Sequence, residues 1–221
     1  MAVDRNALVE TIGAGLAFPQ HVHGQGATQR QQWLDEIEER WTIPYDLDMA
    51  RQYLAEGGYP DGFTADLVIS TGNHALEIEV GEAVAGMWKA IGVDMNLETL
   101  TYQAHRVGLV NRERSNWWLW ARDHGVDGTG IFGRHPGGAF NPGFELPDLF
   151  DLVTVVRTAT TPDGLRAAQE AVWDYTNHNM VSIETMGMAR TIATNPAKIK
   201  DWPMGLGTSP FPRHLDRIVR P

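Results

Sequence analysis

The stretch Tyr45-Asp46-Leu47-Asp48-Met49-Ala50-Arg51-Gln52-Tyr53-Leu54-Ala55-Glu56-Gly57-Gly58-Tyr59-Pro60-Asp61-Gly62-Phe63 encodes a helix, a turn and the start of a strand. The carboxylate of Asp46 can accept from the free N–H groups of a first helical turn, so a helix is expected to begin there. Leu47, Ala50 and Leu54 recur at helical spacing and give it one apolar face. Gly57-Gly58 ends it, because glycine accepts the backbone that closes a helix. In Tyr59-Pro60-Asp61-Gly62 the proline ring fixes one φ and the glycine tolerates another, which forces a tight turn. Phe63 to Ser70 then reads as a strand.

The pattern continues downstream. Between Ala75 and Ile91, Leu76, Val80, Ala83, Val84, Met87 and Ile91 form an apolar stripe, and Gly92 closes the helix. Val93-Asp94-Met95-Asn96-Leu97-Glu98 alternates apolar and polar, as a half-buried strand does. Upstream stands Asp4-Arg5-Asn6-Ala7-Leu8-Val9, followed by the small residues Gly13-Ala14-Gly15. A further strand is expected over 116–122, within Ser115 to Asp123. The remaining helices are expected near 4–14, 29–40, 102–112, 147–157 and 162–178, the last capped by Thr161 with Pro162 in its first turn. Further strands are expected near 181–186 and 189–194. Helices interleaved with strands imply an α/β sandwich around a mixed sheet. A Gly- and Pro-rich loop runs between Gly125 and Pro147, of a length that is functional or mobile in most compact domains.

These segments, in this order, resemble the family 5 extracellular solute-binding proteins, the dipeptide-, oligopeptide- and nickel-binding receptors of ABC importers. The capped helix, turn and strand of 45–70 resemble the family's helix-turn-strand signature. Ala90-Ile91-Gly92-Val93 resembles its link into the next strand, and Asp4 to Val9 its Ile-Asp-Arg helix. The resemblance spans nearly the whole chain and implies a mixed-sheet lobe of a type II periplasmic-binding-protein-like fold. Residues 1–198 would form the C-terminal lobe, and 199–221 a tail that crosses back to the first lobe. Such receptors have two lobes and more than twice this length, so the chain is expected to be a fragment lacking its N-terminal lobe. The implied role is binding of a small polar solute for an ABC permease, without catalysis or cofactor. The implied location is periplasmic or lipid-anchored in the full-length protein.

Composition sets looser limits. At 221 residues, 43% of them hydrophobic, the chain can bury one sizeable core or two small ones. Lys and Arg number 18 against 28 for Asp and Glu, and a net charge of −10 argues against nucleic acid or an anionic membrane as partner. Absence of cysteine excludes disulfides and thiolate metal sites. No run approaches the ~20 apolar residues that a membrane-spanning helix needs. Ala2-Val3-Asp4-Arg5 has neither the basic start nor the apolar core of a signal peptide.

Candidate ligand contacts centre on Asn116-Trp117-Trp118-Leu119-Trp120-Ala121-Arg122-Asp123-His124. Alternation places Trp118, Trp120 and Arg122 on one face and Trp117, Leu119 and Asp123 on the other. Trp117 is expected to be buried against a helix. Trp120, Arg122 and Asp123 stand near the strand's C-terminal end, where open α/β sheets bind ligands. The resemblance adds that peptide-binding relatives carry Trp-x-x-Asp here, matched by Trp120-Ala121-Arg122-Asp123, whose carboxylate receives the peptide's amino terminus. Arg122 departs from that picture, and either neutralises Asp123 or offers a fork to a carboxylate or phosphate. Tyr102, at the start of the helix that follows the 93–99 strand, suits the core and the cleft equally. The site set is therefore Tyr102, Trp118, Trp120, Arg122, Asp123 and His124, for a peptide-like solute. An oligosaccharide or opine is the alternative, since aromatics also stack on sugars.

Other chemistries find less support. His21-Val22-His23 has no third metal ligand at a fixed spacing, so no metal is assigned. Sequence neighbours on a strand point to opposite faces, which makes Asp123 and His124 a poor hydrolytic dyad. A hydrolase built on them is nevertheless the rival class, and a stand-alone interaction module the third. With no first lobe to receive Trp202, Leu206, Phe211, Leu215 and Ile218, the tail is expected to fray, to fold onto its own lobe's open face, or to dock on a second copy in a homodimer.

Overall fold

The computed structural model describes residues 1–22, 31–72, 74–113, 117–119, 146–188, 194–201 and 218–221, with 31–34 through their backbone alone. In chain order the elements are α1 (Arg5–Thr11), β1 (Ala17–Pro19), α2 (Gln31–Trp41), α3 (Leu47–Glu56), β2 (Phe63–Thr71), α4 (Glu77–Lys89), β3 (Val93–Thr101), α5 (Tyr102–Val110), β4 (Trp117–Leu119), α6 (Pro147–Thr158), α7 (Pro162–His178) and β5 (Met186–Met188).

The stretch 45–63 folds as its residues dictate. Asp46 caps α3, its carboxylate accepting from Met49 N at 2.8 Å. The turn at 59–62 closes with Gly62 N donating to Tyr59 O, and Phe63 N then donates to Gly92 O at 3.2 Å. The turn before β2 thus sits on the turn before β3. This contact sets the parallel register, Phe63 opposite Val93 through Thr71 opposite Thr101. β4 pairs parallel on the other edge of β2, Leu67 opposite Trp117 and Ile69 opposite Leu119, which gives the order β3-β2-β4. The two strands expected near 93–99 and 116–122 therefore share one sheet.

Burial along β2 explains its composition. Its first half alternates in exposure, while Leu67, Val68, Ile69 and Ser70 are all buried because α4 covers one face and α5 the other. On the α4 face, Leu67, Ile69, Val93 and Met95 pack with Val80, Val84 and Trp88, joined by Ala50 and Leu8. Each such side chain contributes about 1.5–3 kcal/mol when fully buried. A second, separate core joins α6 and α7 through Leu149, Val153, Val156, Ala168 and Val172. α2 rests on α7 by an edge-to-face pair, Trp41 and Trp173, with Trp41 Nε1 donating to Asp174 at 2.8 Å.

Two details differ from the sequence reading. β1 was not expected; Ala17-Phe18-Pro19 is too short to show periodicity, and it pairs antiparallel with β5. Residues 181–185 form no strand, and β5 begins only at Met186. Here the carbonyl of Glu184 is taken by a side chain instead of a neighbouring strand. Arg5, buried to 6% exposure, donates from Nε to Glu184 O (2.9 Å) and Gln20 O (3.0 Å), and from Nη1 to Ile43 O (3.4 Å). The carboxylate of Glu184 accepts from Gln20 Nε2 and Ser182 Oγ. One guanidinium thereby fastens α1, the end of β1, the α2–α3 link and the approach to β5. The strand expected over 189–194 falls almost entirely outside the described residues.

His21 lines the same small cavity as Arg5, Asn177, Ser182 and Glu184. Burial, and then the positive charge of Arg5, lower its pKa, with Glu38 acting in the opposite direction. The unfolded chain therefore takes up this proton more readily than the folded one. The stabilising contribution is complete above the unperturbed value of about 6.5 and is lost as pH falls through the lowered native value. Urea unfolding followed between about pH 7 and 5 should show that loss, and His21→Gln should flatten it. Identical slopes for both proteins would remove His21 from the account.

Candidate functional site

Three elements bring polar and aromatic groups to the carboxyl end of the parallel sheet. β3 runs straight into α5, whose N-cap Thr101 accepts from Ala104 N at 3.3 Å, so Tyr102 occupies the first helical position there. Tyr102 is partly buried. At the end of β2, Thr71 Oγ1 donates to Leu100 O at 3.2 Å and ties the two strand ends together. The link to α4 passes through Leu76, a non-glycine residue at φ 68°, a sparsely populated conformation that costs on the order of 1–3 kcal/mol. Glu77 follows, a buried carboxylate at the start of α4 that accepts from His74 N.

β4 supplies the tryptophans. Trp118 is partly buried, and its ring meets that of His105 edge to face at 6.0 Å and 76°. Trp117 points to the opposite face, against Trp88 at 5.0 Å. The expectation that Trp117 is buried needs correction, because it retains 45% exposure. Its strand lies at one edge of the sheet, so α4 covers only part of the indole.

The structure thus brings Tyr102 and Trp118 to the helices and strands of one sheet. Trp120, Arg122, Asp123 and His124 lie outside the described residues, as does His23. Among the described residues no group of three His, Asp or Glu side chains is placed to hold a metal ion. The sequence reading missed the buried polar groups Ser70, Glu77 and His105. One signal was present: His105 and Leu109 are four residues apart on α5 and share a face, and both are 1% exposed.

Comparison with known proteins agrees with this architecture. Residues 1–129 match the family described as bacterial extracellular solute-binding proteins, family 5 Middle. Over 111 residues, or 48% of the chain, the sequence is 32% identical to "Heme-binding protein A" of Haemophilus influenzae. A dipeptide-binding protein of Pseudoalteromonas sp. SM9913 in complex with Met-Leu superposes on 85% of the chain with a TM-score of 0.67 at 15% identity. The binding protein AgaA of A. tumefacien R10, in complex with agropinic acid, does so on 85% with a TM-score of 0.65 at 18% identity. The chain spans 19% of the first of these proteins and 38% of each of the other two.

Proposed function

The chain belongs to the family 5 bacterial extracellular solute-binding proteins, and we propose that it supplies one lobe of a receptor that binds a small polar solute for an ABC permease. The family match over 1–129 carries this reading, because that segment holds the whole β2-α4-β3-α5-β4 unit. Family members bind and release their substrates without converting them, and work outside the cytoplasm. No helix among the described residues is long and apolar enough to cross a membrane. In this reading solute contacts from both lobes stabilise a closed state, and closure excludes water from the site.

For the ligand we propose a peptide-like solute, gripped by Tyr102, Trp118 and Trp120 and oriented by Arg122, Asp123 and His124. The dipeptide bound by the Pseudoalteromonas protein supports that class, and the agropinic acid bound by AgaA supports an opine as the alternative. Calorimetry of the chain against dipeptides, oligosaccharides and opines tests the proposal. One lobe offers half of the contacts, so dissociation constants near the millimolar range, about −4 kcal/mol, are expected. Submicromolar affinity would show a self-sufficient binding module, and turnover of ester, phosphate or peptide substrates would move Asp123 and His124 into a hydrolase.

A further inference from the structure

We propose that His105 is a positioning residue of the solute site, fixing the indole of Trp118 from behind; this inference rests on the binding role proposed above. Parallel register places Trp118 beside Val68, on the sheet face opposite α4. Ser70 follows Val68 on that face, and α5 brings His105 against it. Val68, Ser70 and His105 are all at or below 1% exposure. Ser70 Oγ has no hydrogen-bond partner among the described residues.

Ser70, buried without a partner among the described residues, costs free energy that an apolar side chain would not. If α5 needed only to cover the sheet, leucine or valine would serve, as Leu109 does one turn later. His105 sets a flat ring nearly perpendicular to the indole, a geometry in which the positive edge of one ring meets the negative face of the other. Trp118 has two side-chain torsions to fix before a solute can stack on it. A contact that fixes them beforehand lowers the cost of binding.

The test uses the 221-residue chain labelled with 5-fluorotryptophan, the Trp118 resonance being assigned through Trp118→Phe. The wild type should give one narrow Trp118 line. His105→Leu and His105→Gln, which remove the ring in an apolar and a polar way, should shift and broaden it, and His105→Phe should restore it. With the dipeptide Met-Leu as probe, Leu and Gln should weaken binding about tenfold and Phe about twofold or less. Thermal unfolding midpoints of the folded variants should not track these losses, as they would if His105 only packed the core. An unchanged Trp118 line in both ring-less variants, or wild-type affinity in either, overturns the inference. Failure of the wild type to bind the dipeptide counts against the proposed solute class, and the fluorine comparison then decides the role of His105 alone.

Discussion

Arg5→Met is expected to destabilise the fold by about 3–5 kcal/mol, the scale of stranding two or three buried acceptors at once. Methionine fills most of the volume but donates nothing. The carbonyls of Gln20, Ile43 and Glu184 would lose the donor that now reaches all three. A buried acceptor stripped of its donor costs about 1–3 kcal/mol, so even partial rehydration leaves a large deficit. The carboxylate of Glu184 would keep Gln20 and Ser182 but lose the favourable charge of Arg5. Arg5→Lys should recover only part of the loss, because an ammonium is a point charge without the planar fork. Urea unfolding measures both variants. A methionine variant within about 1 kcal/mol of the wild type would show that the three carbonyls find other donors.

Gly62→Ala should be nearly as damaging, by about 3–4 kcal/mol, for a different reason. The residue sits at φ 77°, which costs an alanine about 1–2 kcal/mol. Its Cβ would also stand 2.0 Å from the carbonyl oxygen of Gly92, a backbone atom that cannot swing aside. Relief requires the two turns to separate, and that breaks the Phe63–Gly92 hydrogen bond from which the β2–β3 register starts. Gly58→Ala is the control: φ is 89° there, but nothing lies within 4 Å of the added carbon, so only the backbone cost of about 1–2 kcal/mol applies. Equal thermal shifts for the two alanines would refute the steric part of the argument.

Helices that carry their own start signals were legible from sequence. Asp46 and Thr161 cap α3 and α7 as read, and Asp4 caps α1. The long strands β2 and β3 were equally plain, since nine residues give alternation room to show. What escaped was set by distant partners. Three-residue β1 has no period, and only β5, far along the chain, makes it a strand. Arg5 reads as an ordinary polar position until Gln20, Ile43 and Glu184 converge on it. At the site, the direction of the β4 tryptophans followed from alternation, but the exposure of Trp117 depended on which strand ends the sheet. His105 escaped notice because nothing local marks a side chain as lying beneath an indole.

The β1–β5 ribbon bears on how a chain of this fold can diversify. Its two strands are separated by most of the chain, and everything from α2 to α7 forms one large loop held closed at the ribbon and the Arg5 knot. The entropy of closing a loop grows only with the logarithm of its length, by roughly 0.6 kcal/mol for each doubling. Inserting or deleting ten residues between β4 and α6 thus changes the closure term by a small fraction of that. The segment between β4 and α6 is therefore free to lengthen and shorten while the clasp stays fixed, so changes in its length come thermodynamically cheap.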